Sequence, residues 1–125
     1  MTVLVDTSVW VAHFRAPQDG LIDLLATDQV LVHPMVLGEI ACGTPPDRRR
    51  TLQDLGSLQS PHQATLAEVI AFTEREELFG RGCGLIDLML LSSTLMTAGA
   101  SLWTLDRRLA ALAERFQVLH RPALH

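Results

Sequence analysis

The sequence predicts an α/β fold around a mostly parallel sheet. Three observations predict it. Short β-favouring apolar runs alternate with segments of helical period, in the order β-α-β-α-β-α-β. Apolar residues make up 48% of 125 residues, enough to bury such a sheet in one domain. No repeat, low-complexity tract or linker interrupts the chain.

Each element has its own signal. Residues 3–5, Val-Leu-Val, read as a buried strand. Asp6, Thr7 and Ser8 follow as three side chains able to cap a helix over 9–14, which Pro17 and Gly20 close. A second helix covers 21–26, with Leu21, Leu24 and Leu25 on one face. Residues 30–32 form the second strand. Pro34 sits at a good first helical position, and a helix over 35–42 stops at Gly43 and Pro45. Leu52, Leu55 and Leu58 give one face to a helix over 48–58. Pro61 breaks the chain, with room for a one- or two-residue strand at 58–59. Leu66, Val69, Ile70 and Thr73 place a helix at about 64–78. Gly80, Gly82 and Gly84 mark a turn. The most apolar helix, expected to be central, covers 85–98 and ends at Gly99. Residues 101–103 form the third strand. Asp106 opens a helix through Leu109, Leu112 and Ala113, and 117–119 form a last strand.

Composition narrows the function. No basic segment opens the chain, Asp6 interrupts its first apolar run, and no run approaches the roughly 20 apolar residues of a membrane span. The cytoplasm is the expected location. Cys42 and Cys83 lack a metal-binding partner and are expected to be half-buried thiols. The net charge of −4 comes from ten arginines, no lysine and 14 carboxylates. An acidic total argues against a protein held on nucleic acid by bulk charge. It is compatible with an enzyme whose carboxylates hold cations.

The order of elements predicts where chemistry sits. Ligands of a parallel sheet bind beyond the carboxyl ends of its strands. Asp6 follows the first strand, and Asp106 lies three residues after Trp103. Asp87 falls in the first turn of the helix after Gly84, and Glu39 in the helix after the second strand. Capping explains Asp6 and Asp106 about as well as chemistry does, and it is the favoured reading of Thr7 and Ser8. The helix dipole favours Asp87. Yet Leu85, Ile86, Leu88, Leu90 and Leu91 surround it, and an unpaired carboxylate on so apolar a helix is costly. The same argument applies more weakly to Glu39. His13, His33, His62, His120 and His125 show no metal-ligand spacing and read as surface or edge residues. No P-loop, dinucleotide fingerprint or GxSxG is present. Arg48, Arg49 and Arg50 read mainly as a solvated face, with RNA phosphates or an acidic partner as the lesser alternative.

Val-Leu-Val-Asp6-Thr-Ser-Val-Trp, Val-Leu-Gly-Glu39-Ile, Gly-Leu-Ile-Asp87-Leu-Met-Leu and Leu-Trp-Thr104-Leu-Asp106 together resemble a PIN domain. Size and layout are similar to the VapC toxins of type II toxin–antitoxin pairs. The resemblance covers essentially the whole chain. It implies a single PIN-like domain over 1–125, a three-layer α/β/α sandwich with a central, mostly parallel sheet of four to five strands. It implies a metal-dependent endoribonuclease acting on tRNA or rRNA, usually a homodimer, held in check by a VapB-like antitoxin. By position, Asp6, Glu39, Asp87 and Asp106 match the acidic quartet that holds Mg²⁺ or Mn²⁺. Thr104 matches the hydroxyl two residues before the last acid, and Thr7 or Ser8 the hydroxyl after the first. Four carboxylates in one cleft repel each other until a divalent ion relieves them. Hydrolysis would leave a 5′-phosphate and a 3′-hydroxyl, with Arg81, Arg107 and Arg108 on flanking phosphates. The short segment between Gly43 and Pro61, and Cys83 ahead of Asp87, are departures that leave substrate and antitoxin choice open. An apolar surface around Trp10 and Phe14 serves self-association or is plain core. Two rival classes stand beside this one: a phosphotransferase or phosphatase using Asp6 as nucleophile, and an inactive PIN-like binding module. Haloacid-dehalogenase-like phosphotransferases want a second acid two residues after the first, where this chain has Ser8.

Overall fold

Val3, Leu4 and Val5 have no exposed surface, because they form the middle of a parallel sheet covered on both faces. The computed structural model describes residues 1–123. In it β1 (Thr2–Val5) lies between β2 (Val30–Leu31) and β3 (Ala100–Trp103), giving the order β2-β1-β3. Val3 pairs with Val30 and Leu4 with Leu31; Thr2 to Val5 pair in register with Ala100 to Trp103. Parallel bridges at Leu31–Gln59 and Leu102–Leu119 extend the sheet by one residue on each side. The strands expected at 58–59 and 117–119 are therefore single-residue bridges at the two edges. Among the described residues the sheet thus has three strands, not the four to five expected, with an isolated parallel bridge at each edge.

Seven helices among the described residues flank this sheet: α1 (Thr7–Arg15), α2 (Asp19–Ala26), α3 (Pro34–Ala41), α4 (Arg48–Gly56), α5 (Leu66–Arg75), α6 (Leu85–Leu95) and α7 (Arg107–Arg115). α6 packs against β3, α5 and α7; α1 packs on α3, and α3 on α4. The layers are those of an α/β/α sandwich. None of these helices is long and apolar enough to cross a membrane. As expected, α6 is central: Leu90, Leu91 and Ser93 are fully buried. Two of its buried hydroxyls have partners within the fold. Ser93 Oγ accepts from Ala64 N at 3.1 Å, and Thr94 Oγ1 donates to the Leu90 carbonyl at 2.7 Å.

Several local expectations need correction. α6 ends at Leu95 rather than Ala98. Thr97 donates its hydroxyl to the Ser93 carbonyl, and Gly99 turns the chain at φ +73°. α5 starts at Leu66, behind a Thr65–Glu68 capping box, and stops at Arg75. His33 is not an edge residue. It is 3% exposed and caps α3, its Nδ1 accepting from Met35 N at 3.0 Å. Burial pushes its pKa down, so the ring stays neutral and able to accept. Cys42 is exposed, not half-buried; Cys83 is half-buried as expected. Trp10 is core, with Phe14 partly buried beside it at a ring distance of 6.2 Å.

Candidate active site

The backbone brings the predicted acids to one edge of the sheet. Asp6 leaves the carboxyl end of β1, and its amide donates to the Trp103 carbonyl at the end of β3. Its own carbonyl accepts from Val9 and Trp10, which starts α1. Its carboxylate takes no part in capping that helix. Instead, Asp6 Oδ2 accepts from Ser8 Oγ at 2.8 Å and from Thr104 Oγ1 at 2.7 Å. Capping therefore accounts for the Asp6 backbone and not for its side chain.

Thr104 and Ser8 extend this contact to the segment after β3. Thr104 Oγ1 also accepts from Asp106 N at 3.0 Å, and Ser8 Oγ from Leu105 N at 3.0 Å. Asp106 then caps α7, its Oδ1 accepting from Arg108 N and Leu109 N at 2.9 and 3.0 Å. Asp87 stands in the first turn of α6, where its Oδ2 accepts from Gly84 N at 3.2 Å. Glu39 reaches across from α3, and Thr7 Oγ1 donates to its Oε1 at 2.7 Å. The structural readings of Asp106 and Asp87 are thus correct for one oxygen of each.

A common pattern emerges. Each of the four carboxylates is held through one oxygen. Among the described residues, Asp6 Oδ1, Glu39 Oε2, Asp87 Oδ1 and Asp106 Oδ2 receive no hydrogen bond. No cation compensates them either, since the ion pairs among the described residues are Arg50–Asp54 and Arg121–Glu114. The resulting repulsion registers on Asp87. Burial pushes its carboxyl pKa up, and the charges of Asp6, Asp106 and Glu39 add to the rise against the opposing Gly84 amide. Cys83 feels the same field. Burial first, then Asp87 and Asp106, push its thiol up to about 11 against the pull of Arg108. It is a neutral thiol at physiological pH, and so a poor metal ligand.

The donor set suits a hard divalent cation: carboxylate oxygens, uncompensated, each with one oxygen unbonded. Among the described residues, no three His, Cys, Asp or Glu side chains already stand in a metal-holding group. The fit is therefore one of donor chemistry, with the second oxygens as the atoms available to an ion.

A stability consequence follows for Asp87. A carboxyl whose folded pKa is raised stabilises the fold while protonated, and that contribution is lost as pH rises through the folded pKa. The charged form of Asp87 is thus a burden on the ion-free protein, and the burden grows as pH rises. Asp87→Asn is expected to raise the melting temperature in EDTA at pH 7, with a smaller gain at pH 4. Thermal scans at both values check this, and a lower melting temperature for the variant at pH 7 contradicts it.

Other candidates fall outside the cluster. His13 Nδ1 accepts from Gln18 N at 3.0 Å, and the His120 ring lies 5.3 Å from that of Trp103. His62 is exposed, and His125 lies outside the described residues. The arginine run is only partly a solvated face: Arg48 Nη2 donates to the Ala41 carbonyl at 2.6 Å, closing α3. Arg81 donates to the Glu77 carbonyl, and Arg108 lies over Gly82, where an added Cβ would stand 2.6 Å from its Cδ. Arg107 is exposed beside Asp106. Ser8 carries more than its sequence position suggested. Thr7 serves Glu39, and Ser8 serves Asp6. The only signal in the sequence was a second hydroxyl two residues after the first acid.

Comparison with known proteins gives the family and the fold. Residues 3–115 match the family model described as PIN domain. The chain is 43% identical over 113 residues to Ribonuclease VapC32 of Mycobacterium tuberculosis, strains CDC 1551 / Oshkosh and ATCC 25618 / H37Rv. That alignment covers 90% of this chain and 91% of the relative. The backbone also matches the crystal structure of PAE2754 from Pyrobaculum aerophilum, with a TM-score of 0.63 over 94% of this chain and 96% of the other. At 18% identity, that likeness concerns the fold.

Proposed function

The chain belongs to the PIN-domain family, and on that premise we propose that it is a divalent-metal-dependent endoribonuclease, the toxin of a VapBC-type toxin–antitoxin pair. The observation that carries this reading is the set of four carboxylates, each anchored through one oxygen, with no cation against them. Asp6, Asp87, Asp106 and Glu39 would hold Mg²⁺, or Mn²⁺ in its place. When bound, such an ion lowers the pKa of a water and offsets charge on the scissile phosphate.

The chain's own residues do the rest. Thr104 and Ser8 hold the Asp6 carboxylate in one orientation, and Thr7 holds Glu39. Ordering by such neighbours fixes a ligand before the ion arrives. Any proton bound at the Asp87 carboxyl must leave before that group can serve as a ligand, so ion binding and proton release are linked. Arg107 and Arg108, exposed at the start of α7 beside Asp106, would hold flanking phosphates, while Arg81 is engaged by the Glu77 carbonyl. Hydrolysis then leaves a 5′-phosphate and a 3′-hydroxyl.

The partners follow from the same reading. They are an RNA such as tRNA or rRNA, a VapB-like antitoxin that places positive charge at the acidic cluster, and a second copy of the chain. The whole of 1–125 acts as one domain in the cytoplasm. Purified protein is expected to cleave a mixture of structured RNAs with Mg²⁺ or Mn²⁺, and to stop in EDTA. Cleavage undiminished by EDTA would overturn the metal-dependent reading.

A further inference from the structure

Beside the acidic cluster, α1 and the segment joining α3 to α4 line a half-open cavity of about 370 Å³. Thr7 and Glu39 belong to both the cluster and the cavity. Phe14, Arg15, Thr44 and Pro45 also line it.

Arg15 sets this cavity apart. It is exposed at the end of α1, and among the described residues it has neither an ion pair nor a hydrogen bond. Most other arginines are engaged. Arg48, Arg81 and Arg115 donate to carbonyls, Arg50 and Arg121 pair with carboxylates, and Arg75 covers the Phe72 ring. A chain of net charge −4 thus keeps an unengaged guanidinium in a cavity that begins at its acidic cluster. Glu39 lines the same cavity and forms no ion pair with it.

The lining combines what a nucleotide needs. The Phe14 ring and the Pro45 ring offer apolar faces to a planar base. The Thr44 hydroxyl both donates and accepts, and so can read a base edge. A planar guanidinium matches a phosphate bidentately. We propose that the cavity between Phe14, Arg15 and Thr44 is a nucleotide subsite. It receives the nucleotide next to the scissile bond, with Arg15 on that nucleotide's outer phosphate. The inference rests on the ribonuclease reading for its location beside the cleavage point. It adds a place where RNA sequence is selected.

The test uses the full chain, ¹⁵N-labelled, in EDTA. It is titrated separately with the four nucleoside 5′-monophosphates, the matching nucleosides and inorganic phosphate. At least one monophosphate is expected to shift the Phe14, Arg15, Gly43 and Thr44 amides saturably. Its nucleoside should bind more weakly, and Arg15→Ala should weaken the monophosphate by about tenfold. The spectrum of the variant reports its folding in the same experiment. No shift with any monophosphate at millimolar concentration overturns the subsite. So does inorganic phosphate binding as tightly, which makes it an anion site only, or Arg15→Ala binding like the parent. Protection of these amides by a co-purified partner protein, with nucleotides inert, makes it a protein groove and likewise overturns it. Ion-dependent RNA cleavage without nucleotide shifts overturns the subsite and leaves the ribonuclease reading standing. Saturable shifts without cleavage uphold the subsite and sink the ribonuclease reading.

Discussion

Asp6→Asn is expected to lower RNA cleavage by about a hundred- to a thousandfold while the protein stays folded. Asp6 is 6% exposed, sits at the end of the central strand, and accepts from two hydroxyls. Asparagine keeps an oxygen for Ser8 and Thr104 and has nearly the same shape. What it removes is the negative charge, and with it the strongest electrostatic pull on an ion. Removing one of four uncompensated charges also relieves repulsion, so the ion-free variant should melt no lower than the parent. Initial cleavage rates and a thermal melt on one preparation check both halves. Activity close to that of the parent would remove Asp6 from the site. Lost activity together with a lower melting temperature would make its role structural.

Thr104→Val should show the next largest effect, on stability and activity together. Thr104 is 7% exposed and its hydroxyl makes two bonds at once, donating to Asp6 and accepting from Asp106 N. Valine fills the same volume at a strand end but can make neither. A buried hydrogen bond lost in this way costs about 1–3 kcal/mol. Loosening a ligand's support typically lowers metal affinity or activity by roughly 10–100-fold. Thr104→Ser retains the hydroxyl and should recover most of both losses. Denaturant melts and cleavage rates of the two variants separate hydrogen bonding from packing. If valine and serine behave alike, the hydroxyl is not what matters.

Much of this site was legible because the fold changes character at the acids. A fully apolar strand that stops at Asp6 marks a sheet edge without any tertiary information. The same holds for Trp103 followed by Thr104 and Asp106. Asp87 announced itself as a charge on an otherwise apolar helix, and its raised pKa is the physical counterpart of that mismatch. The pairing of hydroxyls with acids was not legible. Thr7 and Ser8 are adjacent, but their side chains diverge around the start of α1. Thr7 meets Glu39, 32 residues away, and Ser8 meets Asp6 and Leu105 N. Only the packing of α3 and the end of β3 against α1 decides this.

Other misreadings have similar causes. A histidine before a proline looks like an edge residue, yet His33 folds back onto Met35 N as a buried cap. The apolar stretch after α6 overran its helix because Thr97 and Gly99 close it through a hydroxyl bond and a left-handed turn, neither of which alters hydropathy. The outer strands are single bridges, at Gln59 and Leu119. Arg15 was invisible for a different reason. An arginine at a helix end has a ready local explanation in the helix dipole. Its significance appears only when Phe14, Thr44 and Glu39 are seen around the same cavity.

The most direct test is calorimetric titration of Mg²⁺ and Mn²⁺ into the purified chain at pH 7, beside Asp6→Asn. Saturable binding by the parent, lost or strongly weakened in the variant, is predicted, because on the proposed reading the unbonded oxygens of the four carboxylates would be the ion's ligands. No binding by the folded parent at millimolar ion, or equal binding by parent and variant, would contradict the assignment of this cluster as the metal centre.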